Sequence, residues 1–117
     1  IVGYPLRSPY VAAKWGIIGL TKSWAMELGE FGVRVNAICP GSVSGPRMDG
    51  VIDREAQAVG KTPQEIRTGY EKQVSLQTFI EPDDIAASCV FLSSPAGRFI
   101  SGQVLPVDGN IETMRSN

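Results

Sequence analysis

Apolar positions change rhythm along the chain. From residue 10 to about residue 30 they recur at helical spacing on more than one side, Val11, Trp15 and Ile18 on one and Ile17, Leu20, Trp24 and Leu28 on another. A helix that is apolar all round lies buried between layers, so this pattern predicts one covered by a sheet and by a further element or a second subunit. Ser8 and Pro9 stand where a cap and a first helical residue belong, after a glycine- and proline-containing loop over residues 1–9. Gly29 and Gly32 supply stops. Residues 33–38, VRVNAI, alternate and are rich in β-branched side chains, which predicts a strand ended by Pro40-Gly41.

Helical spacing returns with Met48, Val51, Ile52, Ala56 and Val59 within residues 47–59. Thr62-Pro63-Gln64-Glu65 is a capping box with proline first in the helix, and opens a segment to about Val74. Pro82-Asp83-Asp84 opens another, to about Leu92, with carboxylates where the helix dipole favours them. Residues 103–107 form a short strand interrupted by Pro106, between turns at Ser101-Gly102 and Asp108-Gly109, and the polar residues 110–117 predict a frayed tail. The strands lie too far apart for a hairpin, so they are expected to be parallel and joined by helices, an α/β layer fold. Two strands do not complete such a sheet, which needs neighbours and cover on both faces. The chain, beginning at Ile1, is therefore expected to be part of a domain.

Composition narrows the chemistry. A net charge of −1 over 117 residues gives no electrostatic case for nucleic acid or an anionic membrane surface. No apolar run approaches the roughly 18–20 residues of a membrane span, and nothing at the front resembles a signal peptide. Cys39 and Cys89 sit in apolar contexts without metal-like spacing, and are expected to be buried reduced thiols of a cytoplasmic protein. Histidine is absent, which removes Ser-His-Asp and Cys-His machinery and the commonest metal ligand. No metal is expected. A catalytic base here must be a carboxylate, a lysine or a tyrosine.

Tyr10 and Lys14 meet that requirement. On a helix, residues four apart share a face, with Cβ atoms about 5–6 Å from each other. A free phenol titrates near pH ~10, and a neighbouring ammonium favours the phenolate, bringing the group toward general acid/base work. A tyrosine near a helix start also serves simply as a packing residue with a wet hydroxyl, and the spacing alone does not choose between the two.

Four motifs in register do more. Tyr10-Val11-Ala12-Ala13-Lys14-Trp15-Gly16 resembles the active-site helix of the short-chain dehydrogenases/reductases, and Arg34-Val35-Asn36-Ala37-Ile38-Cys39-Pro40-Gly41 resembles that family's sixth strand and the turn after it. Asp84-Ile85-Ala86 with Phe91-Leu92-Ser93-Ser94 resembles its closing helix, and Ser101-Gly102-Gln103 with Val107-Asp108-Gly109 its last strand. The resemblance implies the C-terminal part of a doubly wound, parallel, Rossmann-like sheet, with residues 1–117 as the C-terminal portion of one dinucleotide-binding domain and the N-terminal half absent. It implies an oxidoreductase moving hydride between NAD or NADP and a small-molecule carbonyl or secondary alcohol, the chain alone being inactive.

By position, the resemblance makes Tyr10 the acid/base and gives Lys14 the nicotinamide ribose and the lowering of the Tyr10 pKa. Pro40, Gly41, Ser42 and Val43 become the turn against the nicotinamide, with Val43 backbone groups at its carboxamide, at the carboxyl end of a strand where open α/β sheets bind ligands. Residues 44–79 correspond to the substrate lid, with Met48 as cover and Arg7 or Arg47 as partner for an anionic group. Trp24 and Met26 are candidates for the surface of a homodimer or homotetramer with isologous symmetry. There are two departures. The family's usual threonine five residues after the proline is Gly45 here, and the family's catalytic serine would lie upstream of Ile1, not at Ser8. Two other readings stay open: an epimerase or dehydratase on the same scaffold, and a truncated non-catalytic relative acting as a binding or scaffold subunit.

Overall fold

A computed structural model describes residues 8–111. The element order is α1 (Ser8–Leu28), a 3-10 turn (Gly29–Phe31), β1 (Ala37–Pro40), α2 (Pro46–Val59), α3 (Pro63–Gln73), α4 (Pro82–Ser93), a second 3-10 turn (Pro95–Gly97) and β2 (Val104–Val107). β1 and β2 pair with each other. Ala37 N–H donates to Gln103 O at 2.9 Å and Gly41 N–H to Val107 O at 2.9 Å. The partners advance together along both strands, so the pair is parallel, as the long helical connection requires. Gln103 and Val107 use their carbonyls toward β1, so Pro106, between them in parity, turns its missing N–H away from the ladder.

Helix limits follow the local signals closely. α1 begins at Ser8, so Ser8 and Pro9 are helical and not loop; the remainder of the expected loop, and most of the expected tail, lie outside the described residues. Gly32, at φ 73°, closes the 3-10 turn after α1 with its N–H on Gly29 O. Thr62 caps α3 by accepting from Glu65 N–H at 3.2 Å. Its hydroxyl also donates to Glu65 Oε1 at 3.2 Å, so the glutamate carboxylate serves the cap side chain.

The first strand is displaced from its expected place: it covers Ala37–Pro40, not residues 33–38. Upstream, side chains take over the bonding. Val35 N–H donates to Ser101 Oγ, and Asn36 donates from Nδ2 to Ile100 O while its Oδ1 accepts from Gln103 N–H. An alternating sequence met by side-chain partners makes loop instead of ladder.

The chain divides into two compact units, Ile1–Cys39 with Ala87–Leu105, and Pro40–Ala86 with Pro106–Asn117. In the first unit only Ile18, Thr21, Leu92 and Gly97 are buried among the described residues. Thr21 satisfies its hydroxyl on Ile17 O, one turn back, at 2.8 Å. Lys22 Nζ reaches Gly102 O at 3.1 Å and ties α1 to the loop before β2. The expected all-round burial of α1 is not met within these residues: Trp15, Leu20 and Trp24 are about half exposed and Met26 is 84% exposed. Cys39 is half-buried and Cys89 exposed, both free thiols, which corrects the expectation of two buried ones. Among the described residues no helix is long and apolar enough to cross a membrane.

The second unit holds a core of its own. Ile52 and Ala56 of α2 meet Ile66 of α3 and Phe79 beyond it, with Met48 and Tyr70 packed alongside. Arg67 lies over the Phe79 ring at 4.8 Å and pairs with Asp49 at 2.6 Å, and Tyr70 donates to Glu55 Oε2 at 2.7 Å. Tyr70 and Phe79 meet edge to face at 6.3 Å.

Candidate active site

The 3.6-residue period of α1 carries Tyr10 and Lys14 onto one face. The Lys14 ammonium stands 5.4 Å from the centroid of the Tyr10 ring, inside the roughly 6 Å range of a cation–π contact. Tyr10 is 45% exposed and Lys14 half-buried. The pair places a phenol and an ammonium next to each other on one face of α1.

The second group of candidate residues follows β1. Pro40 is exposed and Gly41, Ser42 and Val43 are half-buried. Val43 forms an isolated parallel bridge with Ile80, in which Ile80 N–H donates to Ser42 O at 2.9 Å and Ser44 N–H to Ile80 O at 2.8 Å. These bonds use the neighbours of Val43 and leave its own N–H and C=O outside the ladder. Gly41 is required by crowding: a Cβ there would lie 2.7 Å from Asp108 Cβ and 2.8 Å from Asp108 Cα.

Gly45 caps α2 at φ 149°, ψ −179°. That region is essentially confined to glycine, so the backbone itself excludes a threonine here. Pro46 follows as the first helical residue.

Of the candidate substrate residues, Arg47 is exposed, with no hydrogen bond or ion pair among the described residues. Met48 packs against the α2–α3 core. Arg7 lies outside the described residues. Arg67, which the sequence marks only as one of several basic residues in segment 44–79, is held by Asp49 and lies over the Phe79 ring. Its sequence signal is only a basic residue near the middle of an amphipathic helix. Asn110, at φ 72°, was missed; it follows a turn that the sequence marks, but its partner Ser75 is far away in the chain.

A family profile described as Enoyl-(Acyl carrier protein) reductase matches residues 1–111. A D-beta-hydroxybutyrate dehydrogenase of Cupriavidus necator is 41% identical over 111 residues, covering 93% of this chain and 43% of that protein. Among solved structures, a short chain dehydrogenase family protein of Francisella tularensis superposes with a TM-score of 0.91 at 31% identity, covering 97% of this chain and 47% of the other. An actinorhodin polyketide ketoreductase with NADPH gives 0.86 at 28% identity, over 96% of this chain and 43% of the other. A 4-hydroxyisoleucine dehydrogenase complexed with NADH gives 0.72 at 32% identity, over 97% and 42%. The chain spans about two-fifths of the length of the curated relatives it matches.

Proposed function

The chain belongs to the short-chain dehydrogenase/reductase family, and we propose that the full-length protein transfers hydride between NAD(P)(H) and a carbonyl or secondary alcohol, with Tyr10 as its acid/base. The observation that carries this reading is the Lys14 ammonium held 5.4 Å from the ring centroid of a Tyr10 that is 45% exposed. Relatives whose solved structures carry NADPH or NADH support a nicotinamide cofactor without choosing between the two.

The residues present fit such a group. Val43 keeps an N–H and a C=O outside its bridge, a donor and an acceptor that complement a carboxamide. Gly41 and Pro40 present little side-chain bulk at the end of β1, where ligands approach open α/β sheets. When bound, the nicotinamide supplies or accepts the hydride.

The protein's share is proton transfer and placement. In reduction, Tyr10 gives its phenolic proton to the carbonyl oxygen as the carbon is reduced; in oxidation, its phenolate takes the alcohol proton. The Lys14 ammonium stands beside the Tyr10 ring, and its donors suit ribose hydroxyls. Exposed Arg47 offers a partner to an anionic substrate group, as does Arg7, with Met48 at the inner edge of the lid. Exposed Trp24 and Met26 suit an isologous contact between copies.

Tyr10→Phe in the full-length protein tests the reading. Turnover should fall by roughly 10²–10⁴-fold while cofactor affinity stays within about twofold; unchanged turnover overturns it. Appearance of reduced nicotinamide in step with product separates hydride transfer from an epimerase or dehydratase. Arg47→Ala should raise KM for carboxylate-bearing substrates and leave neutral ones alone. Equal effects on both remove Arg47 from the substrate site.

A further inference from the structure

Turn 108–110 touches two segments that are distant from each other in sequence. On one side is the turn after β1. Gly41 N–H donates to Val107 O at 2.9 Å, and the Gly41 Cα sits so close to Asp108 that no side chain fits between them. On the other side is the chain leaving α3. Leu76 N–H donates to Gly109 O at 3.1 Å, Ser75 N–H to Asn110 O at 3.1 Å, and Asn110 Nδ2 to Ser75 Oγ at 2.8 Å. Gly109 is as confined as Gly41, since a Cβ on it would meet Val74 Cγ1 at 2.6 Å.

The turn is itself fixed. Asn110 N–H donates to Asp108 Oδ1 at 2.7 Å, and Gly109 and Asn110 both have positive φ, 69° and 72°. Asparagine tolerates that conformation better than other residues carrying a Cβ. The ring is closed by Ile80, five residues beyond Ser75, which bonds to both Ser42 and Ser44. Residues 41–44, 80, 75–76 and 108–110 thus form a closed circuit of short contacts. All of its members lie in one compact unit.

We propose that turn 108–110 is a positioning element that locks the segment leaving the α2–α3 lid to the turn of residues 41–44, so that ordering one orders the other. The Asn110–Ser75 side-chain bond is its adjustable link. The functional part of this inference rests on residues 41–43 meeting the nicotinamide, as proposed above. Asn110 and Ser75 act through Gly41 and Val43 and are positioning residues. A closed circuit transmits order because loosening any one contact lengthens the path that restrains the others.

The experiment uses the full-length protein with Asn110→Gly, which keeps the left-handed backbone and removes the amide, and Ser75→Ala, which removes the hydroxyl. Amide exchange at Gly41 and Ser44 should rise about fivefold in each variant, the order expected for one lost hydrogen bond. Affinity for NADH or NADPH should fall about threefold while affinity for ADP, which lacks the nicotinamide half, stays unchanged. The double variant should do no more than Asn110→Gly alone, since Ser75→Ala removes a bond that the asparagine change has already removed.

Unchanged exchange at Gly41 and Ser44 overturns the coupling. Equal losses for ADP and the dinucleotide overturn the positioning role, because general loosening does not distinguish the two halves of the cofactor. Raised exchange in a protein whose wild type binds no dinucleotide supports the coupling and sinks the nicotinamide reading instead. The two variants alter opposite ends of one bond, so a folding failure of either leaves the other to decide.

Discussion

In the unit that contains α2 and α3, Ile52, Ala56, Ile66 and Phe79 close on one another. In the unit that contains α1, Trp15, Leu20 and Trp24 remain about half exposed, and Ile17 and Met26 more so. Apolar content does not separate the two, for the helix with more apolar residues is the one with less core. The difference is arrangement. α2 and α3 each gather their apolar side chains on one stripe, and two stripes facing each other finish the job locally. α1 spreads its apolar residues around the axis and needs cover from more than one direction. A self-sufficient pair and a helix awaiting neighbours can therefore stand in one short chain.

The sharpest way to break this contrast is to truncate a residue from each side. In the 117-residue chain, Ile52→Ala should lower the unfolding free energy by about 2–5 kcal/mol, since it opens a cavity at a side chain only 2% exposed. Ile17→Ala, at a residue 57% exposed, should cost less than about 0.5 kcal/mol. Urea denaturation of both variants checks this. A large cost at both positions would mean that α1 is already covered.

A smaller effect sharpens the same contrast. Thr62→Ala removes the α3 cap bond to Glu65 N–H and should cost about 1 kcal/mol, with Thr62→Ser near neutral. Amide exchange should place the loss in the first turn of α3 and leave α1 as it was. A loss spread evenly over both helices would show that the α2–α3 pair is not self-contained.

Local chemistry was the legible part of this molecule. The Thr62 cap, Pro63 at the start of α3, Pro82 at the start of α4 and the glycine stop at Gly32 each act within a few residues. The Tyr10–Lys14 pair was legible for the same reason, being one helical turn of spacing. Where bonding partners are distant, the alternation misled. Val35 and Asn36 look like strand, yet they are held by Ser101, Ile100 and Gln103, more than 60 residues on. Asp108-Gly109 was legible as a turn, but nothing local announces that Gly41 and Ser75 will press against it. Cys89 looked buried because its neighbours are apolar, but neighbours in sequence on an exposed helix are no shield.

The glycine at position 45 carries a consequence for how this chain can change. Its backbone, at φ 149°, leads directly into Pro46 and the first turn of α2. A threonine at this position would require a new backbone path through residues 44–46 before its hydroxyl could be placed. A protein engineer who wants a hydroxyl here has to remodel the backbone of the turn and not only exchange one side chain.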